Sequence, residues 1–290
     1  TDKNQTKAMS PVIMKGAPAA ERLTEELKAR SEKLRVGSVV PTLAILRVGS
    51  DPSDMAYERG ALKRAEKALV EIKSIVLPEN ASAQDILAEI EKINADDSIH
   101  GCLMFRPLKN KETEKKAAEM LDPKKDIDCM TLSSQAAVYT GNRECGFVPC
   151  TAEAVIELLK YYNIEISGKN AVVLGRSRVI GKPAAMLLLE ENATVTMCHS
   201  KTGKLKEICK KADIIVAAMG RAEMINEEYL SAGQTIIDVG INVGADGKMC
   251  GDVKESAKEA FAAMYTPVPG GVGSMTSTIL MKHVIEAAER

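Results

Sequence analysis

Tryptophan is absent from this 290-residue chain, and phenylalanine occurs only three times. With so few aromatic side chains, a stacking platform for single-stranded nucleic acid is not expected. An excess of one charge is missing too. Lys and Arg number 39 against 40 Asp and Glu, so there is no electrostatic footprint for nucleic acid or for an anionic membrane. No apolar run approaches the ~20 residues that cross a bilayer, and the opening residues 1–10, TDKNQTKAMS, are polar and unlike a signal peptide. The seven cysteines (102, 129, 145, 150, 198, 209 and 250) are odd in number, scattered and without a CxxC pair. Reduced, mostly buried thiols in a cytoplasmic protein are therefore expected, with no disulfide framework and no metal site.

What is present is ordinary for a soluble globular protein, with 45% hydrophobic and 27% charged residues. The length suggests two domains of about 120–150 residues. Residues 16–35 have the spacing of an amphipathic helix. Apolar runs at 42–48, 72–77 and 101–105, separated by helical stretches at 54–70 and 83–93, give a βαβαβ order and hence a parallel sheet. Residues 109–127 are rich in lysine and glutamate and read as a solvated helix and loop. A domain boundary falls near 148/149, where Thr151 is a candidate N-cap for a helix from 152 to 162. Beyond it, strands at 171–175, 193–198, 213–218 and 234–239 alternate with helices at 182–190 and 205–211. That pattern describes a Rossmann-like, doubly wound domain. Residues 275–289 form a final amphipathic helix.

The stretch VVLGRSRVIGKP, residues 172–183, organises this second half. Gly175 and Gly181 bound a loop between strand and helix, one residue longer than in the common GxGxxG pattern. Such a loop brings backbone close to phosphate and aims a helix N-terminus at negative charge. An ordinary strand-to-helix loop would carry similar glycines. The following strand ends Cys198-His199-Ser200-Lys201-Thr202, without the acid that an NAD site uses for the ribose hydroxyls. Arg176, Ser200 and Lys201 can instead receive a 2′-phosphate, which favours NADP. His199 reads equally well as a satisfied strand-end histidine and is given no catalytic role. Asp238 and Asp252 can be taken as a carboxylate pair or, more simply, as structural residues at strand ends.

Together, VVLGRSRVIGKP, ATVTMCHSKT (193–202), IIDVGIN (236–242) with GDV (251–253), and TPVPGGVGSMT (266–276) resemble the methylenetetrahydrofolate dehydrogenase/methenyltetrahydrofolate cyclohydrolase family. PTLAILRVGSDP, KKDID and GFVPCT extend the resemblance over nearly the whole chain. It implies two α/β domains with a cleft between them. Residues 1–148, completed by the helix 275–290, would bind folate, and residues 149–274 would bind NADP. The implied activity is NADP-dependent oxidation of 5,10-methylenetetrahydrofolate to the methenyl form by a homodimer. Implied cofactor contacts are Gly175, Arg176, Ser177, Ile180, Gly181, His199, Ser200, Gly220, Ile241, Gly273 and Thr276. Implied substrate contacts are Tyr57, Asp128, Pro269, Gly270 and Gly271, with Tyr57 also serving in catalysis. No metal is implied.

The chain departs from the family pattern at one site in particular. The family pairs its tyrosine with a lysine four residues on, and here Tyr57 is followed by Ala61. The glutamine that partners that lysine is Phe105, in FRPLK (105–109). Lys63 lies about 240° around the helix from Tyr57 and is no replacement, while Arg64 lies about two turns away. Ala152 and Ser274 stand where the family has prolines. Hydrolysis of the methenyl bridge requires water activation and proton movement, whereas hydride transfer chiefly requires distance and orientation. The expectation is a dehydrogenase with weak or absent cyclohydrolase. Alternatives are a bifunctional enzyme using Arg64, Arg106 or another base, and a non-catalytic folate- or nucleotide-binding homologue.

Overall fold

The computed structural model describes residues 10–244 and 246–290. Residues 1–9, which hold most of the polar N-terminal stretch, lie outside the described residues. Two compact units emerge. One consists of residues 10–17 with Val155–Gly273, and the other of Pro18–Ala154 with Ser274–Arg290.

In the first unit, six parallel strands run in the order Val12–Ile13, Ala262–Tyr265, Gln234–Asp238, Ile214–Ala217, Asn170–Leu174, Thr194–Cys198. Apart from Asn170 at one end, the central strands are buried, which explains why they read as continuous apolar runs instead of alternating ones. Leu205, Cys209, Ala257 and Phe261, from two short helices, close a core over Val172, Ile215 and Ile236. From Asn170–Leu174 the chain winds outward in both directions across the sheet. The switch point falls between that strand and Ile214–Ala217, where open α/β sheets bind ligands. Two of the six strands, Val12–Ile13 and Ala262–Tyr265, are absent from the sequence-based pattern. The first pairs with the second, so residues 10–17 go with this unit and not with the N-terminal half, where the 148/149 boundary assigns them.

The second unit holds a three-stranded parallel sheet ordered Glu71–Leu77, Thr42–Val48, Gly101–Met104. Helix Pro52–Ala68 starts where Asp51 accepts N–H groups from Ser53 and Asp54, with Pro52 in its first turn. A buried ion pair ties it to the sheet: Arg47 Nε lies 2.9 Å from Glu58 Oε2, and Ser74 Oγ donates to Glu58 Oε1 at 3.0 Å. Helix Ala83–Ala95 opens with a capping box between Ser82 and Asp85. Gly101 lies so close to Ile127 and Val284 that an added Cβ would sit 2.9 Å from an Ile127 methyl. The final helix, Thr276–Glu289, belongs to this unit.

Two expectations are corrected. Residues 109–127 are not uniformly solvated: Lys125 is buried, and its ammonium donates to the carbonyls of Ile93, Asn94 and Asp96 at 2.7–3.0 Å, capping the C-terminus of helix Ala83–Ala95. Thr151 is not an N-cap, because the helix Cys150–Tyr161 already includes it. The Cys150 N–H is instead taken by Asp128 Oδ1 at 3.0 Å, so a carboxylate from a distant loop does the capping.

Candidate active site

In the first unit, the loop after Asn170–Leu174 needs glycine at both ends. Gly175 has φ +121°, and an added Cβ would overlap the Ala218 carbonyl oxygen. A Cβ on Gly181 would overlap the Gly175 carbonyl. Helix Gly181–Glu190 therefore begins directly against the strand exit at the switch point. Ser177 Oγ accepts from the N–H groups of Ile180 (3.1 Å) and Gly181 (3.4 Å), which leaves its own O–H to donate outward. Arg176, Ser177 and Ser200 are exposed around this loop. His199 is engaged locally: its N–H donates to Thr202 Oγ1, and its Nδ1 accepts from the Lys201 N–H at 3.1 Å.

The two aspartates turn out to be framework. Asp252, fully buried, accepts from the N–H groups of Met219, Gly220 and Arg221 and from the Asn242 side-chain amide at 2.5–3.1 Å. Asp238 accepts from the N–H groups of Gly240, Asp252 and Val253 and pairs with buried Lys258 at 3.4 Å. Apart from Lys258, which lies on helix Glu255–Phe261, these donors lie in the segments that follow strands Ile214–Ala217 and Gln234–Asp238, so the pair holds Gly220 and the two neighbours of Ile241, Gly240 and Asn242. A Cβ on Gly251 would overlap the Asp238 carboxylate, and one on Gly240 the Asp252 carboxylate. Pro269, Gly270 and Gly271, expected on the substrate side, lie in this unit, where the Gly270 carbonyl (φ +100°) accepts from Gly16 N–H at 2.8 Å. Gly273 ends the unit, with the tip of Ile241 3.8 Å from where its Cβ would be.

The second unit brings together Tyr57, Phe105, Asp128 and Cys150. The Phe105 ring meets the Tyr57 ring edge-on, with centroids 5.9 Å apart and planes at 85°. The Tyr57 hydroxyl is pushed well above its ordinary pKa by burial and by the nearby Cys150 and Asp128, and it hydrogen-bonds Thr276. Thr276, expected at the cofactor, thus stands beside Tyr57 in the second unit. Ala61, one turn along the same helix, is fully buried. Arg64 turns toward helix Gly16–Val36 and donates to Thr24 Oγ1 at 2.8 Å. Lys63 is exposed.

Asp128 is half-buried. Burial raises its carboxyl above the usual carboxylate range, against the lowering influence of Cys150 and of Arg106. Its loop is pinned on both sides. Lys125 holds the helix carbonyls, and Asp126 accepts from Met130 N–H at 2.8 Å and Thr131 N–H at 2.7 Å. Beside Phe105 and Arg106 opens a cavity of about 620 Å³, with Asp51, Asp54, Glu79 and Lys109 on its walls. Lys125, Asp126 and the buried His283 are participants that spacing alone does not reveal. Lys125 and His283 have partners on remote elements, and Asp126 binds N–H groups of its own turn, although a histidine within an apolar helix face was a visible signal.

A glycine-built dinucleotide site on a doubly wound sheet, in a chain with a second α/β unit carrying tyrosine and aspartate, defines a nicotinamide-linked oxidoreductase. Comparison with known proteins gives the family. Residues 14–128 match the catalytic domain of tetrahydrofolate dehydrogenase/cyclohydrolase, and residues 149–290 match its NAD(P)-binding domain. The chain belongs to the tetrahydrofolate dehydrogenase/cyclohydrolase family. It is 47% identical over 279 residues to the "Bifunctional protein FolD" of Clostridium botulinum (strain Langeland), covering 96% of this chain and 98% of that protein. Among solved structures it resembles the bifunctional enzyme FolD of Campylobacter jejuni, with TM-score 0.90, 33% identity, and 97% and 99% of the two chains covered. It likewise resembles the Trypanosoma brucei dehydrogenase-cyclohydrolase complexed with NADP and an inhibitor, with TM-score 0.88, 32% identity, and coverage of 97% and 98%. No helix among the described residues is long and apolar enough to cross a membrane, and the seven cysteines are free thiols.

Proposed function

We propose that this enzyme is an NADP-dependent methylenetetrahydrofolate dehydrogenase whose cyclohydrolase activity is weak or absent. The observation that carries the reading is the state of the position one turn after Tyr57. Ala61 is fully buried and bears no ionisable group, and the aromatic Phe105 packs against Tyr57 where the family places glutamine. Tyr57 and Asp128, the residues assigned to holding the folate, remain.

Oxidation removes a hydride from the methylene bridge and leaves a cation shared with the two flanking nitrogens. NADP, when bound, supplies the acceptor for that hydride. No side chain has to take a proton, so the protein's task is to bind and orient. Tyr57 offers a ring face to the substrate, and Asp128 offers the carboxylate oxygen that does not cap Cys150. Ser177 O–H and the backbone around Gly175 and Gly181 suit the pyrophosphate, and Arg176 with Ser200 suits a 2′-phosphate.

Hydrolysis of the methenyl product differs, because water must lose a proton as it adds to the bridge carbon. Arg64 is engaged with Thr24, and a guanidinium does not give up a proton in proteins, so neither Arg64 nor Arg106 serves as a general base. We further assign a cytoplasmic homodimer. Its contact would use the hairpin Asn242–Val243/Met249–Cys250, where Ile241, Val243 and Met249 are exposed. Incubation with methylenetetrahydrofolate and NADP tests the activity: NADPH should form with turnover. No NADPH at any cofactor concentration would leave a binding protein instead.

A further inference from the structure

A buried charged chain in the substrate unit has no part in the chemistry just described. His283, on helix Thr276–Glu289, is 1% exposed. Its Nδ1 lies 2.8 Å from the Ile127 carbonyl oxygen, and its Nε2 lies 2.7 Å from Glu153 Oε2. The other Glu153 oxygen is ion-paired with Lys282. A carbonyl can only accept, so Nδ1 carries a proton. A carboxylate held by an ammonium also accepts, so Nε2 carries one too. Both ring nitrogens are donors, and the ring is an imidazolium. Burial opposes that state, but the Glu153 carboxylate outweighs it and raises the pKa of the ring. Glu286 on the same helix adds in the same direction. The remaining neighbours are the Cys150 thiol, 3.7 Å from Nδ1 and kept protonated by burial, and the Phe147 ring, at 4.9 Å between centroids, with the Arg290 guanidinium 4.3 Å from the Phe147 ring centroid.

Packing alone does not call for this arrangement, since an apolar side chain would fill the space without the cost of burying charge. The contacts have another consequence. Ile127 immediately precedes Asp128, and Glu153 lies in the first turn of the helix whose Cys150 N–H binds Asp128 Oδ1. His283 therefore grips both segments that hold the Asp128 carboxylate. With Lys125 and Asp126 fixing the loop just before, residues 125–128 have little freedom left to turn.

We infer that His283 is a positioning residue for the folate site: bridging Ile127 and Glu153 as a double donor, it holds Asp128 in the orientation that receives the pterin. The inference rests on Asp128 being the pterin-binding carboxylate, as proposed above. Three variants of the full chain separate the two ideas: Asp128→Asn, His283→Gln and Glu153→Gln. For each, kcat, the KM for methylenetetrahydrofolate and the KM for NADP are measured, with calorimetric folate binding as a second readout. Loss of one charge-assisted hydrogen bond corresponds to roughly tenfold in affinity. His283→Gln and Glu153→Gln should therefore raise the folate KM and Kd by about that factor while leaving kcat within about threefold and the NADP KM unmoved. A fold defect alone would lower kcat and disturb both substrates. Should His283→Gln fail to fold, Glu153→Gln preserves side-chain size and carries the test. If Asp128→Asn raises the folate KM while the other two leave it unchanged, the positioning role is wrong and the substrate site stands. If all three leave it unchanged, both are wrong.

Discussion

Around residues 175–181 and 218–221, the proposed cofactor site of the first unit is shaped mainly by backbone, which glycines and the buried Asp252 hold in place, with Arg176, Ser177 and Ser200 exposed around it. Around Tyr57 and Asp128, the second unit presents side chains themselves. This contrast explains why one site fits its family's pattern closely and the other has changed. A backbone-built site tolerates replacement of most exposed residues but not of the glycines that let strands, loops and helix N-termini touch. In a side-chain-built site, one substitution can remove a chemical step and leave binding intact. On the proposed reading, Ala61 and Phe105 are such substitutions, with Tyr57 and Asp128 still in place beside them.

The sharpest way to break the backbone-built site is Gly251→Ala. Its Cβ would overlap the Asp238 carboxylate, which already binds three N–H groups and Lys258. Overpacking at a site with no room to yield should cost about 3 kcal/mol or more, read as a fall in the unfolding midpoint and loss of NADP binding. In the other unit, the contrast predicts a gain. The double change Ala61→Lys with Phe105→Gln should raise methenyltetrahydrofolate hydrolysis by on the order of 10²-fold, whereas Ala61→Lys alone, with the Phe105 ring still against Tyr57, should give much less. A stopped assay of formyl product distinguishes them. Arg176→Ala should reduce the preference for NADP over NAD by about 10–100-fold in kcat/KM, the worth of one or two charge-assisted contacts. An unchanged ratio would remove the 2′-phosphate role.

The smallest expected effect concerns pH. Burial alone would raise the Glu153 pKa, but His283 and Lys282 bring it below its ordinary 4.5. Its contribution to stability is thus present above about pH 4.5 and lost as pH falls through the lower folded value. His283 is raised above 6.5, so its contribution is full below that value and lost as pH rises through the folded one. The stability difference between the wild type and Glu153→Gln should be greatest between these limits, at about 1–2 kcal/mol, and should shrink at both extremes. A difference that stays flat from acid to alkaline pH would contradict the charged pair.

Much of this was legible in the sequence where the cause is local. The strand exit at Gly175 and the helix entry at Gly181 lie within a few residues, and the spacing of Tyr57 to position 61 follows from one helical turn. Strands Val12–Ile13 and Ala262–Tyr265 were not legible. They are short and owe their existence to pairing with each other across about 250 residues of chain. Thr151 looked like a cap because the competing acceptor, Asp128, lies 22 residues upstream. Lys125 looked solvated because its partners are helix-end carbonyls some 30 residues away. Asp238 and Asp252, with an acid-pair reading available, proved to be acceptors for loop N–H groups, a role that residue type alone does not announce.

The central claim is that oxidation survives in this chain without hydrolysis. It is tested most directly by supplying purified protein with methenyltetrahydrofolate and following loss of its absorbance against the spontaneous rate, on a sample that reduces NADP with methylenetetrahydrofolate. The account predicts a decay indistinguishable from the spontaneous one. Clear enzyme-dependent acceleration would contradict it.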